Sequence, residues 1–107
     1  MSASQVIANY ESLLTLTRQM REAAVQGDWD ALIGIEQRRG ELVAAIKPLD
    51  AQVQLDEATR QAKNQLIHKI LADEAEILHH TQTWMTELQN LLQSNRQKQR
   101  LHQAYGV

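Results

Sequence analysis

The chain has 107 residues, of which 43% are hydrophobic and 22% are charged, and its formal net charge is −2. This length suits one domain over residues 1–107, and the charge balance argues against a nucleic-acid-binding or membrane-inserted protein. Cysteine is absent, which excludes disulfides and thiolate chemistry and is typical of a cytoplasmic protein. The first ten residues lack a basic region followed by a long apolar run, so we expect no signal peptide.

Composition predicts an all-α fold. Glycine occurs four times and proline once, and no stretch alternates apolar and polar residues with the period of a strand. We predict an antiparallel helical bundle of three main helices with a long third helix and a short C-terminal helical tail. The predicted bounds are about 3–26, 29–47 and 56–94 for the helices and 95–107 for the tail.

Capping signals fix the first helix and its corner. Ser2 and Gln5 have the spacing of a capping box, and Gly27 can take the left-handed conformation that ends a helix. Asp28 then suits the N-cap of helix 2. So short a corner makes helices 1 and 2 antiparallel neighbours, with Trp29 packed beneath it.

Pro48 disfavours helical geometry at Lys47, so we predict that helix 2 ends there. The third helix is predicted from residues 55–92, which contain neither glycine nor proline and repeat apolar residues at steps of one, three and four. Ser94 and Asn95 are weak helix formers, so a break or a kink is expected before the tail.

The apolar face of the third helix is broader than two shorter helices can cover. This helix would extend roughly 55 Å. Ile67, Leu71 and Leu78 lie about 100° round it from the stripe that contains Ile70 and Ile77. A face left uncovered would bind an amphipathic helix of a partner. The pattern alone leaves two alternatives open, a fully internal core or pairing in a homodimer.

The sequence offers little support for a catalytic or metal-binding site. Glu76 and His79 have the Glu-x-x-His spacing of di-iron bundles, but such a site needs a second pair and two more glutamates. We therefore expect no metal and no cofactor. Nucleophile elbows and phosphate-binding glycine loops are missing. A chorismate-mutase-like enzyme is the catalytic alternative, but that fold places its longest helix first.

The basic tail invites a nucleic-acid interpretation through Arg96, Lys98 and Arg100. Cations near a helix C-terminus are favoured by the helix dipole. Three positive charges on an acidic chain also form a weak electrostatic footprint. We expect no nucleic-acid binding.

Three segments together carry a family resemblance. They are Gly27-Asp28-Trp29-Asp30 at the first corner, Ile67-x-x-x-Leu71-x-x-Glu74 on the third helix, and Leu101-x-x-Ala104-Tyr105-Gly106 in the tail. In this order the chain resembles the FliT flagellar export chaperones over nearly its whole length.

The resemblance implies a cytoplasmic chaperone of the flagellar type III export system. Such proteins bind the C-terminal region of the filament cap protein FliD, prevent its premature assembly and deliver it to the export gate. They also contact the gate protein FlhA and the export ATPase FliI. In enterobacteria they bind the master regulator FlhDC. The family fold is an antiparallel bundle with a mobile fourth helix.

The resemblance also assigns residues. Ile67 and Leu71 match family positions that bind partners, and Leu78 occupies a position where the family can have a lysine. Tyr105, with Leu101 beside it, matches the export-gate contact. The predicted FliD groove comprises Leu32, Ile35, Val43, Ile67, Leu71 and Leu78. The rival interpretation is a dimerising regulatory or adaptor protein without an export client.

Overall fold

The structure, a computed structural model, describes the backbone of residues 2–105 and the side chains of residues 2–94, 96, 99 and 100. Over that backbone the chain forms three helices and no strand: α1 (Ala3–Gln26), α2 (Trp29–Asp50) and α3 (Glu57–Tyr105). The all-α prediction is confirmed. The chain divides into two compact units, Met1–Ile77 and Leu78–Val107. A single domain over residues 1–107 stays a prediction.

The capping signals read from the sequence are all present at α1 and the first corner. The Ser2 amide donates to the Gln5 side chain at 2.9 Å, and the Gln5 amide donates to Ser2 Oγ at 3.2 Å. Gly27 ends α1 with φ of 71°, in the left-handed region. Asp28 Oδ1 accepts from the Ala31 amide at 3.2 Å and caps α2.

The predicted end of α2 at Lys47 is wrong, because the helix continues through Pro48 to Asp50. Proline in the last turn removes one backbone donor and disfavours the preceding residue's helical conformation. Long-range contacts offset that cost. The Asp50 carboxylate accepts from the Tyr10 hydroxyl and from Lys63 Nζ, each at 2.8 Å.

Helix α3 begins at Glu57, and Asp56 before it is the N-cap. Asp56 Oδ1 accepts from the Thr59 amide at 2.8 Å, which satisfies one of the free donors of the first turn. The predicted start at about residue 56 therefore agrees with the structure to within one residue.

The expected break at Ser94 and Asn95 is wrong, since α3 runs on to Tyr105 and no separate tail helix follows 94. Serine and asparagine each disfavour a helix by only a few tenths of a kcal/mol relative to alanine. A clear stop needs glycine or proline, and residues 49–105 contain neither.

The core of the first unit consists of two clusters in which α3 packs against both other helices. The first cluster contains Met20, Ala23, Ala24, Ile35 and Ile77, and Trp29 packs against it as predicted. The second contains Leu13, Leu14, Ile46 and Ile70. Ile70 and Ile77 therefore form the apolar stripe of α3 that faces the core.

Ion pairs hold α1 against α3 beside the core. The Asp73 side chain is 10% exposed, and its Oδ1 accepts from Arg21 Nη1 at 2.8 Å. Arg18 Nε lies 3.7 Å from the other carboxylate oxygen.

Candidate functional site

The predicted FliD groove on α2 is divided by the structure. Ile35 is a core residue, 7% exposed, and Leu32 packs partly buried against the same cluster. Val43 is 39% exposed and lies apart from them, at a cavity that Leu13 also lines. Of these three side chains, Val43 has the largest exposed fraction.

Of the two predicted groove residues on α3 in the first unit, Leu71 is exposed and Ile67 is partly buried. Leu71 is 53% exposed, whereas Ile70, the preceding residue, is 7% exposed. One residue along a helix is a rotation of about 100°, so Ile70 faces the core and Leu71 faces away from it. Ile67 lies one turn before Leu71 and is partly buried.

An ion pair flanks Leu71. Glu74, three residues on and so on a neighbouring part of the helix surface, accepts from Arg39 of α2. Arg39 also lies 3.6 Å from Glu36 on its own helix. Its Nε is buried and has no acceptor in the described part of the chain. This pair ties α2 to α3 beside the Leu71 surface.

The second unit carries most of the exposed apolar side chains of α3. Leu78 is 57% exposed and Leu91 is 63% exposed. Residues 81–94 include a single charged residue, Glu87. The exposed apolar set of this unit is Leu78, Trp84, Met85, Leu88, Leu91 and Leu92.

All six residues belong to the apolar repeat that predicts the third helix, but only Leu78 was assigned to partner binding. The signal that could have found the others is the scarcity of charge over residues 81–94 in an otherwise charged chain. A solvated helix face normally carries charges. An apolar face without them indicates a surface that is buried in some assembly.

A polar cluster joins all three helices at the other end of the first unit. Tyr10, Asp50 and Lys63 meet there, with the Lys63 ammonium also 5.3 Å from the centre of the Tyr10 ring. Desolvation raises the pKa of Asp50, but hydrogen bonds from Lys63 and Tyr10 outweigh it and leave the net pKa below its ordinary value. The hydrogen bond to Asp50 raises the pKa of Lys63, and burial together with that carboxylate raises the pKa of Tyr10.

Two further observations concern the described residues. No group of three or more histidine, cysteine, aspartate or glutamate side chains among them could hold a metal ion. No helix among them is long and apolar enough to cross a membrane. The predicted gate residues Leu101 and Tyr105 belong to α3, and their side chains lie outside the described set.

Fold and surface together define a small all-α protein that exposes apolar side chains along α3, the kind of surface that receives a helix of another protein. The family model described as flagellar protein FliT matches residues 7–107. The chain therefore belongs to the FliT family, as the resemblance predicted.

Relatives from enterobacteria agree with this assignment. The flagellar protein FliT of Cronobacter sakazakii is 35% identical over 101 residues, which cover 92% of this chain and 81% of the relative. The FliT proteins of Yersinia enterocolitica and Pectobacterium carotovorum are 25% and 23% identical, over 94% and 98% of this chain and 84% and 83% of theirs. No solved structure matches the chain.

Proposed function

We propose that this protein is a cytoplasmic chaperone of the flagellar type III export system that binds the C-terminal region of FliD. It keeps FliD from assembling early and delivers it to the export gate. Membership of the FliT family supports the flagellar context. The observation that carries the binding mode is Leu71, half exposed on α3 directly beside a buried isoleucine.

The proposed chemistry is capture of an amphipathic helix, with no bond made or broken and no cofactor used. Leu71, with Ile67 beside it, is the FliD contact in the first unit, and Val43 and Leu32 contribute from α2. Leu78 is the contact in the second unit. Ile35 supports the surface from within the core. Burial of apolar surface contributes roughly 25 cal/mol per Å² before ordering costs.

The test is calorimetry of the full chain with a FliD C-terminal fragment. Leu71→Asp should weaken binding by more than about a hundredfold, because the interface would bury an unpaired carboxylate, which costs several kcal/mol. Circular dichroism should stay helical, since Leu71 is not a core residue. Val25→Asp is the matched control, because Val25 is 59% exposed on α1 and should bind normally.

Two results would contradict this proposal. Leu71→Asp binding FliD like the wild type would remove α3 from the interface. Equal loss in both variants would show a general effect of added charge rather than a contact at Leu71.

For the export gate we propose that Tyr105 and Leu101 contact FlhA, with FliI as a further partner of the same pathway. Tyr105→Ala should lose FlhA binding and keep FliD binding. Loss of both would argue against separate surfaces. Contact with FlhDC is the regulatory part of the proposal, tested by whether the chain displaces that regulator from promoter DNA.

The exposed apolar set of the second unit favours a second candidate, a dimerising adaptor in which α3 pairs with its copy. Sedimentation velocity at micromolar concentration separates the two functions. A dimer that dissociates when FliD is added supports the chaperone. A dimer that is indifferent to FliD supports the adaptor.

A further inference from the structure

The last turn of α2 has few contacts of its own. It contains Pro48, which supplies no backbone donor. After Pro48 the Gln52 amide donates a hydrogen bond to the Leu49 carbonyl at 3.1 Å. The Val53 amide donates a longer one to the Asp50 carbonyl at 3.5 Å. Leu49 is 45% exposed, so apolar packing adds little.

One carboxylate holds this turn to the rest of the unit. Asp50 Oδ2 accepts from the Tyr10 hydroxyl of α1 and from Lys63 Nζ of α3, each at 2.8 Å. Both side chains of the ion pair are mostly covered, with 22% of Lys63 and 18% of Asp50 exposed. A charge-assisted bond in such a partly dry site is stronger than one at the surface.

An apolar cavity that is open to solvent lies between α1 and the end of α2, beside Asp50. Its volume is about 450 Å³. Leu13 and Ile46, which belong to the second core cluster, form its apolar wall. The full lining is Tyr10, Leu13, Val43, Ile46, Lys47, Asp50 and Ala51. The end of α2 therefore forms one wall of an open space that reaches the core.

We propose that Tyr10, Asp50 and Lys63 form a latch, and that its release lets the last turn of α2 and residues 51–56 move away from α1 and α3 and widen this cavity. Asp50 Oδ2 anchors the first part of this segment, the last turn of α2, whereas at its far end the Leu55 carbonyl accepts from Arg60 Nη2 of α3 at 3.3 Å, so opening begins at Asp50. Opening exposes Leu13 and Ile46 while the Met20 cluster stays packed.

Native-state hydrogen exchange on the full chain tests the latch. Asp50→Ala removes both anchoring bonds and leaves a good helix former in place. Exchange of the amides in 47–56 should rise by about tenfold or more, with a smaller rise in the core amides of α3 around Ile70. Tyr10→Phe, which removes one bond, should give an intermediate rise. Glu57→Gln breaks an exposed pair with Arg60 and should leave 47–56 unchanged.

Thiol labelling gives a second measurement, because the chain has no cysteine. Leu13→Cys should be labelled faster when combined with Asp50→Ala. Met20→Cys, in the other core cluster, should be labelled at the same rate with and without that change. The proposal is overturned if exchange in 47–56 does not rise, if it rises no more than in the core, or if both cysteines respond alike.

Discussion

Asp73 allows the sharpest prediction about what holds the first unit together. Its side chain is 10% exposed and lies between two arginines of α1, with Arg21 Nη1 at 2.8 Å. Asp73→Asn keeps the shape and removes the charge. A hydrogen bond between charged groups contributes about 1.5–3 kcal/mol. Arg21 is 39% exposed and can regain water, so the lower part of that range applies, about 1.5 kcal/mol.

Urea unfolding followed by circular dichroism measures this loss. With a slope of about 1–2 kcal/mol per M for a domain of this size, the midpoint should fall by about 1 M with no change in slope. The control is Glu57→Gln, whose partner Arg60 is 3.8 Å away with both side chains more than half exposed. An exposed pair of this kind contributes about 0–1 kcal/mol. A midpoint for Asp73→Asn no lower than that of the control would refute the assigned role of the buried carboxylate.

Three other predictions concern stability. The pKa of Asp50 is lowered in the folded state, so its contribution is complete above its unfolded pKa of about 3.9 and is lost as the pH falls through the lower folded value. The stability difference between wild type and Asp50→Asn should therefore be constant from about pH 5 to pH 8 and shrink below about pH 4; a difference that grows on acidification would contradict it. Gly27→Ala should destabilise by about 1 kcal/mol because φ is 71°. Gly40→Ala should stabilise by up to about 1 kcal/mol, since an added Cβ meets nothing within 4 Å; the same sign for both changes would show that backbone conformation does not decide the effect.

Features governed by neighbouring residues could be predicted from the sequence. The Ser2 cap, the left-handed Gly27 and the N-cap Asp28 each need only a few adjacent positions, and all three appear in the structure. The end of α2 could not be predicted in this way. It depends on Asp50 meeting Tyr10, 40 residues away. Local propensity at Pro48 contains no information about that contact.

The candidate binding surface likewise depends on contacts that local sequence does not contain. Helical periodicity separates Ile70 from Leu71 by about 100° but does not say which of them faces the core. Ile35 illustrates the difficulty, because its hydrophobicity fits a client groove and a core position equally well, and it packs in the core. Only the arrangement of all three helices decides which apolar residues remain exposed.

The most direct test asks whether a client covers Leu71. A single thiol introduced as Leu71→Cys into this cysteine-free chain reacts with a soluble maleimide at a rate set by its exposure. With a FliD C-terminal fragment at about ten times its dissociation constant, about 90% of the chain is bound, so labelling should slow by about tenfold. Val25→Cys on α1 should react at its free rate. If Leu71→Cys reacts equally fast with and without bound FliD, the exposed face of α3 is not where the client lies.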